Sequence, residues 1–470
     1  MTTDTVEIPS PRGWPIVGNL LQIPRSRLTQ HLLQTSRDFE GIFQLNLAGR
    51  RVPFIYSAEL VAELCDQTRF RKVVAPPLSF LRNMTGDGLF TAQSDNPNWG
   101  KAHRIILSAF SQSAMKSYFD QMREVAEQLI TKWEQQGPNK DITVTEDMTR
   151  FTLESVAQCC FGYSFKLFES EHFHPFLEAM SRTLNVAMAR VSEVPHTRFL
   201  RPRNKQNERD IATMSALVDE LILQRRQAPS NNDDLLNRML NSVDPKTGEK
   251  LDDLNIRYQV ITFLIAGHET TSGMLSFALS LLLRHPDILE QAYAEVDRIL
   301  PGDTVPEYEH IAKLNVLERV LKETLRLWPT APALVVAPYE DTLIGGRYRI
   351  ARDQWTTVIL PALHRDPKVW DDPESFNIDR FLPENEAKLR PSAYLPFGIG
   401  QRACLGRRFA LTESKLVLAL ILQRFVLSDP HHYQFKIKET LSLKADNLRI
   451  RARRRAVAIF GKDASLMRQY

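Results

Sequence analysis

The sequence predicts one large, mainly α-helical domain carrying small β-sheets. Three observations lead there. Helical periodicity runs from about residue 100 to 328, a proline-free and largely apolar stretch lies between Pro245 and Pro286, and short strand patterns cluster toward the two ends of the chain. At about 150 residues per domain, 470 residues would allow three domains. No internal repeat and no Gly/Ser-rich linker divides them, so a single domain is expected. With 43% hydrophobic and 25% charged residues the chain is ordinary globular material, which excludes disordered, collagen-like and mucin-like classes.

The first twenty residues contain three prolines and two acids and no apolar span of membrane length, so neither a signal peptide nor a membrane anchor is expected, and the protein reads as cytoplasmic. Ile42 to Leu47 and Val52 to Tyr56 flank Ala48-Gly49-Arg50-Arg51 and suggest a hairpin. Asp252 or Asp253 can cap a helix that His285-Pro286 stops, roughly 50 Å of it at 1.5 Å per residue. Val194 to Asn207 and Arg226 to Asp234 read as surface connections. Strand patterns return at Tyr348 to Ile350, Trp355 to Leu360 and Phe435 to Leu443. Arg449 to Arg455 holds five arginines in seven residues, alternating with Ile450 and Ala452 before the apolar run Ala456 to Phe460. That pattern fits a strand with one solvated face, the alternative being a docking patch for an acidic partner. A net charge of +4 is too even to argue for nucleic acid. Cys65, Cys159, Cys160 and Cys404 are too scattered for a disulfide framework or a zinc site.

Two places break local rules. The centre of the long helix reads Ala266-Gly267-His268-Glu269-Thr270-Thr271-Ser272-Gly273. Each interior glycine costs about 1 kcal/mol, and a buried glutamate needs a partner or a proton. Such breaches in a core mark functional sites. The second is Phe397-Gly398-Ile399-Gly400-Gln401-Arg402-Ala403-Cys404-Leu405-Gly406, where three glycines let the backbone approach something flat. Cys404 precedes a helix expected over Leu405 to about Phe425, whose free N–H groups favour a thiolate.

This run resembles the haem-binding loop of the cytochrome P-450 family, matching its F-x-x-G-x-R-x-C-x-G pattern at every fixed position. Glu323-Thr324-Leu325-Arg326 and Ala266-Gly267-His268-Glu269-Thr270 match the family's E-x-x-R and [AG]-G-x-[DE]-T motifs in the family's order. Thr85 to Phe90, Ile256 to Ser276, Leu327 to Ala333 and Ile437 to Leu441 are similar to the haem domain of bacterial self-sufficient fatty-acid hydroxylases, in which that domain is fused to an FAD/FMN reductase.

The resemblance implies a cytochrome P-450 fold and a role for each matching residue. Cys404 would be the axial ligand of haem b, with Phe397 beside its sulfur. Arg402, Trp99 and His103 would meet the haem propionates, although the family often has Arg where His103 stands. Ala266 and Gly267 would lie along the haem, and Glu269 and Thr270 would be the catalytic pair that delivers protons during O2 activation. Back-bonding to its own helix is the plain alternative for Thr270. Glu323, Arg326 and Arg380 would form a buried structural triad. Arg50 would attract a substrate carboxylate, while Phe54 replaces the tyrosine usual beside it. Phe90 would gate the chain end, and Ala331, Ala333, Leu441, Leu78 and Met84 would line an apolar pocket, ordinary core being an equal reading for each.

The expected activity is hydroxylation of medium- or long-chain fatty acids near the methyl end, with O2 and electrons from NADPH. FAD, FMN and NADPH would bind the reductase and not this chain, which has no GxGxxG fingerprint. A peroxide-driven peroxygenase, an oxygenase of neutral lipophiles and a non-catalytic haem sensor are the competing readings. Residues 1–461 would form the haem domain and residues 462–470 the start of a linker to the reductase, for which Arg407, Arg408 and Lys101 could form a docking face.

Overall fold

The computed structural model of the protein describes residues 5–24, 26–191, 204–229 and 232–455. Helices surround one long central helix, Asp253–Arg284, whose ends fall where the sequence puts them. The Asp252 carboxylate accepts from the Asn255 N–H at 2.7 Å, and His285 leaves helical geometry just before Pro286. Val260, Ile261, Leu264, Ile265, Met274, Leu275, Phe277 and Leu282 are at most 2% exposed. A helix buried on this many sides needs neighbours all round, and it has them in Val144–Phe161, Lys205–Gln227, Asn315–Leu327 and the strand Leu443–Ala445. Its two glycines permit two of these approaches. A Cβ at Gly267 would stand 3.1 Å from Val156 Cγ2, and one at Gly273 would overlap the Leu443 carbonyl oxygen.

A second, smaller core lies against a five-stranded sheet in the order Ile42–Leu47, Arg50–Ile55, Thr356–Ile359, Ala333–Pro338, Phe70–Lys72. The first two strands are the expected hairpin, with Leu47 opposite Arg50 and Phe43 opposite Phe54. Arg50–Ile55 then runs parallel to Thr356–Ile359, and the other pairings are antiparallel.

Three sequence expectations change in detail. Phe435 to Leu443 is not one strand but part of a hairpin, Ile437–Glu439 against Leu443–Ala445, turned where Thr440 N–H donates to the Ser442 carbonyl at 2.9 Å. Lys205 to Asn207 is helical, because Asn204 caps Lys205–Gln227 by accepting from Asn207 N–H. The same helix takes in Arg226 and Gln227, and Asp234 caps Leu235–Asn241, which shortens the second expected loop from both ends. The arginine-rich strand, Arg449–Arg454, buries Ile450 and Ala452. Arg451, Arg454 and Arg455 pair with Asp141, Glu134 and Asp297, so much of its charge is neutralised within the fold. Residues 456–460, the 461/462 boundary, the expected linker and most of the loop from Val194 lie outside the described residues.

All four cysteines are free thiols. Among the described residues no helix is long and apolar enough to cross a membrane.

Candidate active site

Cys404 stands at the end of a loop whose shape is set by glycine. Gly398 and Gly400 have φ of 77° and 57°, the left-handed region that side chains avoid, and a Cβ at Gly400 would overlap the Gln67 amide. Cys404 N–H donates to the Phe397 carbonyl at 2.8 Å, which folds the loop back on itself. The helix beyond begins at Arg407, two residues later than the sequence suggests, with Gly406 as its N-cap. Cys404 is the exposed member of the four cysteines, yet protein atoms lie close around its sulfur. Burial raises its thiol pKa, and the N–H groups of Gly406 and Arg407 together with the Arg407 charge oppose that rise. The Arg407 guanidinium lies 5.4 Å over the Phe397 ring.

Cations without acids gather nearby. Arg402 lies 4.6 Å over the Trp99 ring, and Trp99 stacks on His103 at 5.0 Å, four residues on along the helix Pro97–Ile106. Arg402 Nη2 donates to the Ala92 carbonyl at 2.6 Å, whereas the buried Nη1 has no partner. Lys72, at the end of the strand Phe70–Lys72, places its ammonium 5.3 Å over Phe90. Burial and then the Arg402 charge push Lys72 down to about 7. Burial, Arg402 and Arg104 lower His103 likewise. Mutually repelling cations and an orphaned guanidinium nitrogen are what a dianionic group would satisfy. The residues therefore fit a haem: the glycine loop would take its flat face, Cys404 would hold its iron, and Arg402, Lys72, His103 and Trp99 would meet its propionates. Lys72 was not legible in the sequence, since a lone lysine ending a three-residue strand carries no motif.

Glu269 is 8% exposed and turned toward the hairpin. Lys444 Nζ donates to Oε1 at 3.0 Å, the hydroxyls of Ser442 and Thr440 donate to Oε2 at 3.0 and 3.3 Å, and His268 Nε2 lies 3.2 Å from Oε1. Burial works against the carboxylate, but Lys444 and His268 hold its pKa well below the usual range. Thr270 Oγ1 donates to the Ala266 carbonyl at 2.8 Å, which uses its proton and leaves its lone pairs open. The helix continues unbroken through Ala266 and Gly267.

Glu323, Arg326 and Arg380 come together. Glu323 and Arg326 are fully buried and bidentate, at 2.7 and 2.8 Å, and Arg380 Nε lies 3.5 Å from Glu323. Arg326 also donates to the carbonyls of His364, Pro373 and Ser375, tying the helix Asn315–Leu327 to the segment that leads to the cysteine loop. Burial raises the Glu323 pKa against the pull of Arg326, the Asn377 N–H and Arg380.

The expected substrate residues differ widely in exposure. Arg50 is exposed at the hairpin turn, its guanidinium 3.3 Å over the Trp355 ring. Phe54 is core, stacked on Phe43 at 5.3 Å. Met84 is buried, Leu78, Phe90 and Leu441 are half-buried, and Ala331 and Ala333 are exposed. On the cysteine side, Arg407 and Arg408 are exposed, and Lys101 is paired with Glu249 at 3.1 Å.

The profile described as Cytochrome P450 matches residues 8–451. A "Bifunctional cytochrome P450/NADPH--P450 reductase" of Bacillus cereus is 46% identical over 448 residues, 94% of this chain and 42% of that protein. A "Self-sufficient cytochrome P450 monooxygenase" of Exserohilum turcicum is 41% identical over 451 residues, 95% of this chain and 42% of its own length. The chain thus spans less than half the length of these relatives. The crystal structure of the cytochrome P450DA heme domain superposes with a TM-score of 0.90 at 48% identity, covering 96% of this chain and 98% of that one.

Proposed function

The chain belongs to the cytochrome P450 family, and on that premise we propose that it is the haem-thiolate component of a monooxygenase that hydroxylates medium- or long-chain fatty acids near the methyl end, using O2 and electrons passed from NADPH through an FAD/FMN reductase. The observation that carries the haem-thiolate part is the accessible Cys404 two residues from Arg402, whose buried Nη1 has no partner and whose charge presses on Lys72 and His103 with no acid between them. Bound there, haem supplies oxygen activation, with the thiolate as electron donor to the iron.

The chain's own residues then have distinct tasks. Arg402, Lys72, His103 and Trp99 orient the group through its carboxylates. Thr270, its proton committed to Ala266, presents an acceptor that can order a water at the helix face. Glu269 is a poised anion and not a ready acid in this arrangement, so a proton reaches it from outside only when Lys444 or His268 yields its place. The relatives that carry a reductase on the same polypeptide support the electron route.

For the fatty acid the supporting contact is Arg50. A guanidinium lying flat on Trp355 keeps its N–H edges in plane and available to a carboxylate. The site is exposed, so the contact is worth only about 0.2–1 kcal/mol. A second reading, a neutral lipophilic substrate, is favoured by Phe54, a buried ring with no hydroxyl to offer a carboxylate. Spin-state titration separates the two. In the haem-loaded protein Arg50→Ala should weaken fatty acids by up to about fivefold and leave the matching alcohols unchanged. Equal behaviour of acids and alcohols, in the parent and in Arg50→Ala, would favour the neutral substrate.

A further inference from the structure

One short hairpin holds the carboxylate of Glu269. Lys444 covers Oε1, where His268 Nε2 also lies, and the hydroxyls of Thr440 and Ser442 cover Oε2. Three of these groups come from the hairpin that pairs Ile437–Glu439 with Leu443–Ala445. A carboxylate has about four lone-pair sites, shared between its two oxygens. Each oxygen here faces two polar groups, so neither is open to a water that could bring a proton.

The hairpin is fastened differently at its base and at its tip. Its strands pair at three positions and join no other sheet among the described residues. Such a ribbon is marginal alone, and outside contacts hold its base. Glu439 accepts from the N–H groups of Thr29 and Gln30, Leu443 N–H donates to the Thr330 carbonyl, and Ala445 N–H donates to the Ser276 hydroxyl. At the tip, the Thr440 and Ser442 hydroxyls reach Glu269. Either hydroxyl can leave Oε2 without being stranded, because a carbonyl already stands beside it. The Ser442 carbonyl is 3.2 Å from Thr440 Oγ1, and the Glu269 carbonyl is 3.0 Å from Ser442 Oγ. Opening Oε2 therefore needs two hydroxyl rotations and breaks nothing in the base.

Leu441 sits between the two hydroxyl-bearing residues. It is half-buried and packs against the larger core. With one donor on either side of it in a tight turn, a shift of Leu441 moves both hydroxyls.

We propose that Thr440 and Ser442 are positioning residues that latch Glu269 Oε2 shut, and that an apolar chain pressing on Leu441 opens the latch. The inference rests on the reading of Leu441 as a residue of the substrate pocket. It ties proton delivery to occupancy. Without substrate Glu269 is closed to proton carriers, and with substrate Oε2 is free to accept from a water. Reducing equivalents are spared, because protons arrive only when there is a chain to hydroxylate.

The test is spin-state titration of the haem-loaded chain with a long-chain alcohol, in the parent and in Thr440→Val/Ser442→Ala. A ligand that has to open the latch binds with lowered apparent affinity, so the double variant should bind about threefold to tenfold more tightly. Thr440→Val alone should shift in the same direction, and Thr440→Ser, which keeps the hydroxyl, should bind as the parent does. In a Leu441→Ala background the ligand no longer meets the latch, and the same two substitutions should leave affinity unchanged. Infrared difference spectra give a second readout. The alcohol should shift a carboxylate band that is missing from Glu269→Gln, and should leave it in place in Leu441→Ala. Equal or weaker binding by the double variant overturns the latch, as does an unshifted Glu269 band or a gain that survives Leu441→Ala. A parent whose spin state responds to neither fatty acids nor alcohols overturns the pocket reading itself, and the latch with it.

Discussion

Replacing Lys444 with methionine should destabilise the protein, and by an amount that depends on pH in a calculable way. Lys444 is the cationic partner of Glu269, at 3.0 Å in a site that is 8% exposed at the glutamate. Breaking such a pair leaves a buried charge and costs about 3–5 kcal/mol. Glu269 can avoid that cost by taking a proton. At pH 7 neutralising a carboxyl of ordinary pKa about 4.3 costs about 3.7 kcal/mol, a value inside the same range. At pH 5 the same step costs about 1 kcal/mol.

The signs differ between the two proteins. In the parent, Glu269 has a folded-state pKa below its unfolded one, so its stabilising contribution is complete above the unfolded value and is lost only as pH falls through the folded value. In Lys444→Met the folded-state pKa lies above the unfolded one, so stability rises as pH falls from 7 toward 5. The gap between the two proteins should therefore shrink by about 1.4 kcal/mol per pH unit over that interval. Denaturant unfolding of both proteins at pH 5, 6 and 7 measures it. A gap that stays constant with pH, or no loss at pH 7, would refute the ion-pair argument. Glu269→Gln added to Lys444→Met should recover most of the loss at pH 7.

Three further outcomes are expected. Cys404→His should abolish the red-shifted Soret band of the ferrous–CO adduct that marks thiolate ligation, and a surviving band would remove Cys404 from the iron. With reductase added, Thr270→Ala should keep consuming NADPH while hydroxylated product falls and peroxide rises; unchanged coupling would leave Thr270 with only its bond to Ala266. Glu323→Ala strands the fully buried Arg326 and should cost about 3–5 kcal/mol with loss of haem content, whereas a melting temperature within a degree or two of the parent would show that the backbone carbonyls around Arg326 suffice.

What was legible in the sequence was local. The cysteine loop, the Glu323/Arg326 spacing and the caps of the central helix are contiguous patterns, and a few residues set each of them. The partner of Glu269 was not legible, because Lys444 lies 175 positions away and the hairpin that brings it in shows no alternation across its turn. Lys72 and Arg402 meet only through the fold. For Phe54 the sequence match names a substrate-channel position, whereas the stacking on Phe43 across the hairpin follows from the strand register. Gly267, expected to lie along the haem, has a packing role, since Val156 occupies the space its missing side chain leaves.

The parallel pairing of Arg50–Ile55 with Thr356–Ile359 has a consequence for how the chain is made. Two parallel strands cannot be closed by a tight turn, and here about 300 residues separate them. At ribosomal speeds of about 5–20 residues per second, the N-terminal hairpin waits roughly 15–60 s for the strand that completes it. During that interval one edge of the hairpin has its backbone groups unpaired. The helical half can collapse around its local contacts long before the sheet closes. The smaller core therefore cannot become native until Thr356–Ile359 has been made, and its N-terminal hairpin is open to wrong pairing throughout that interval.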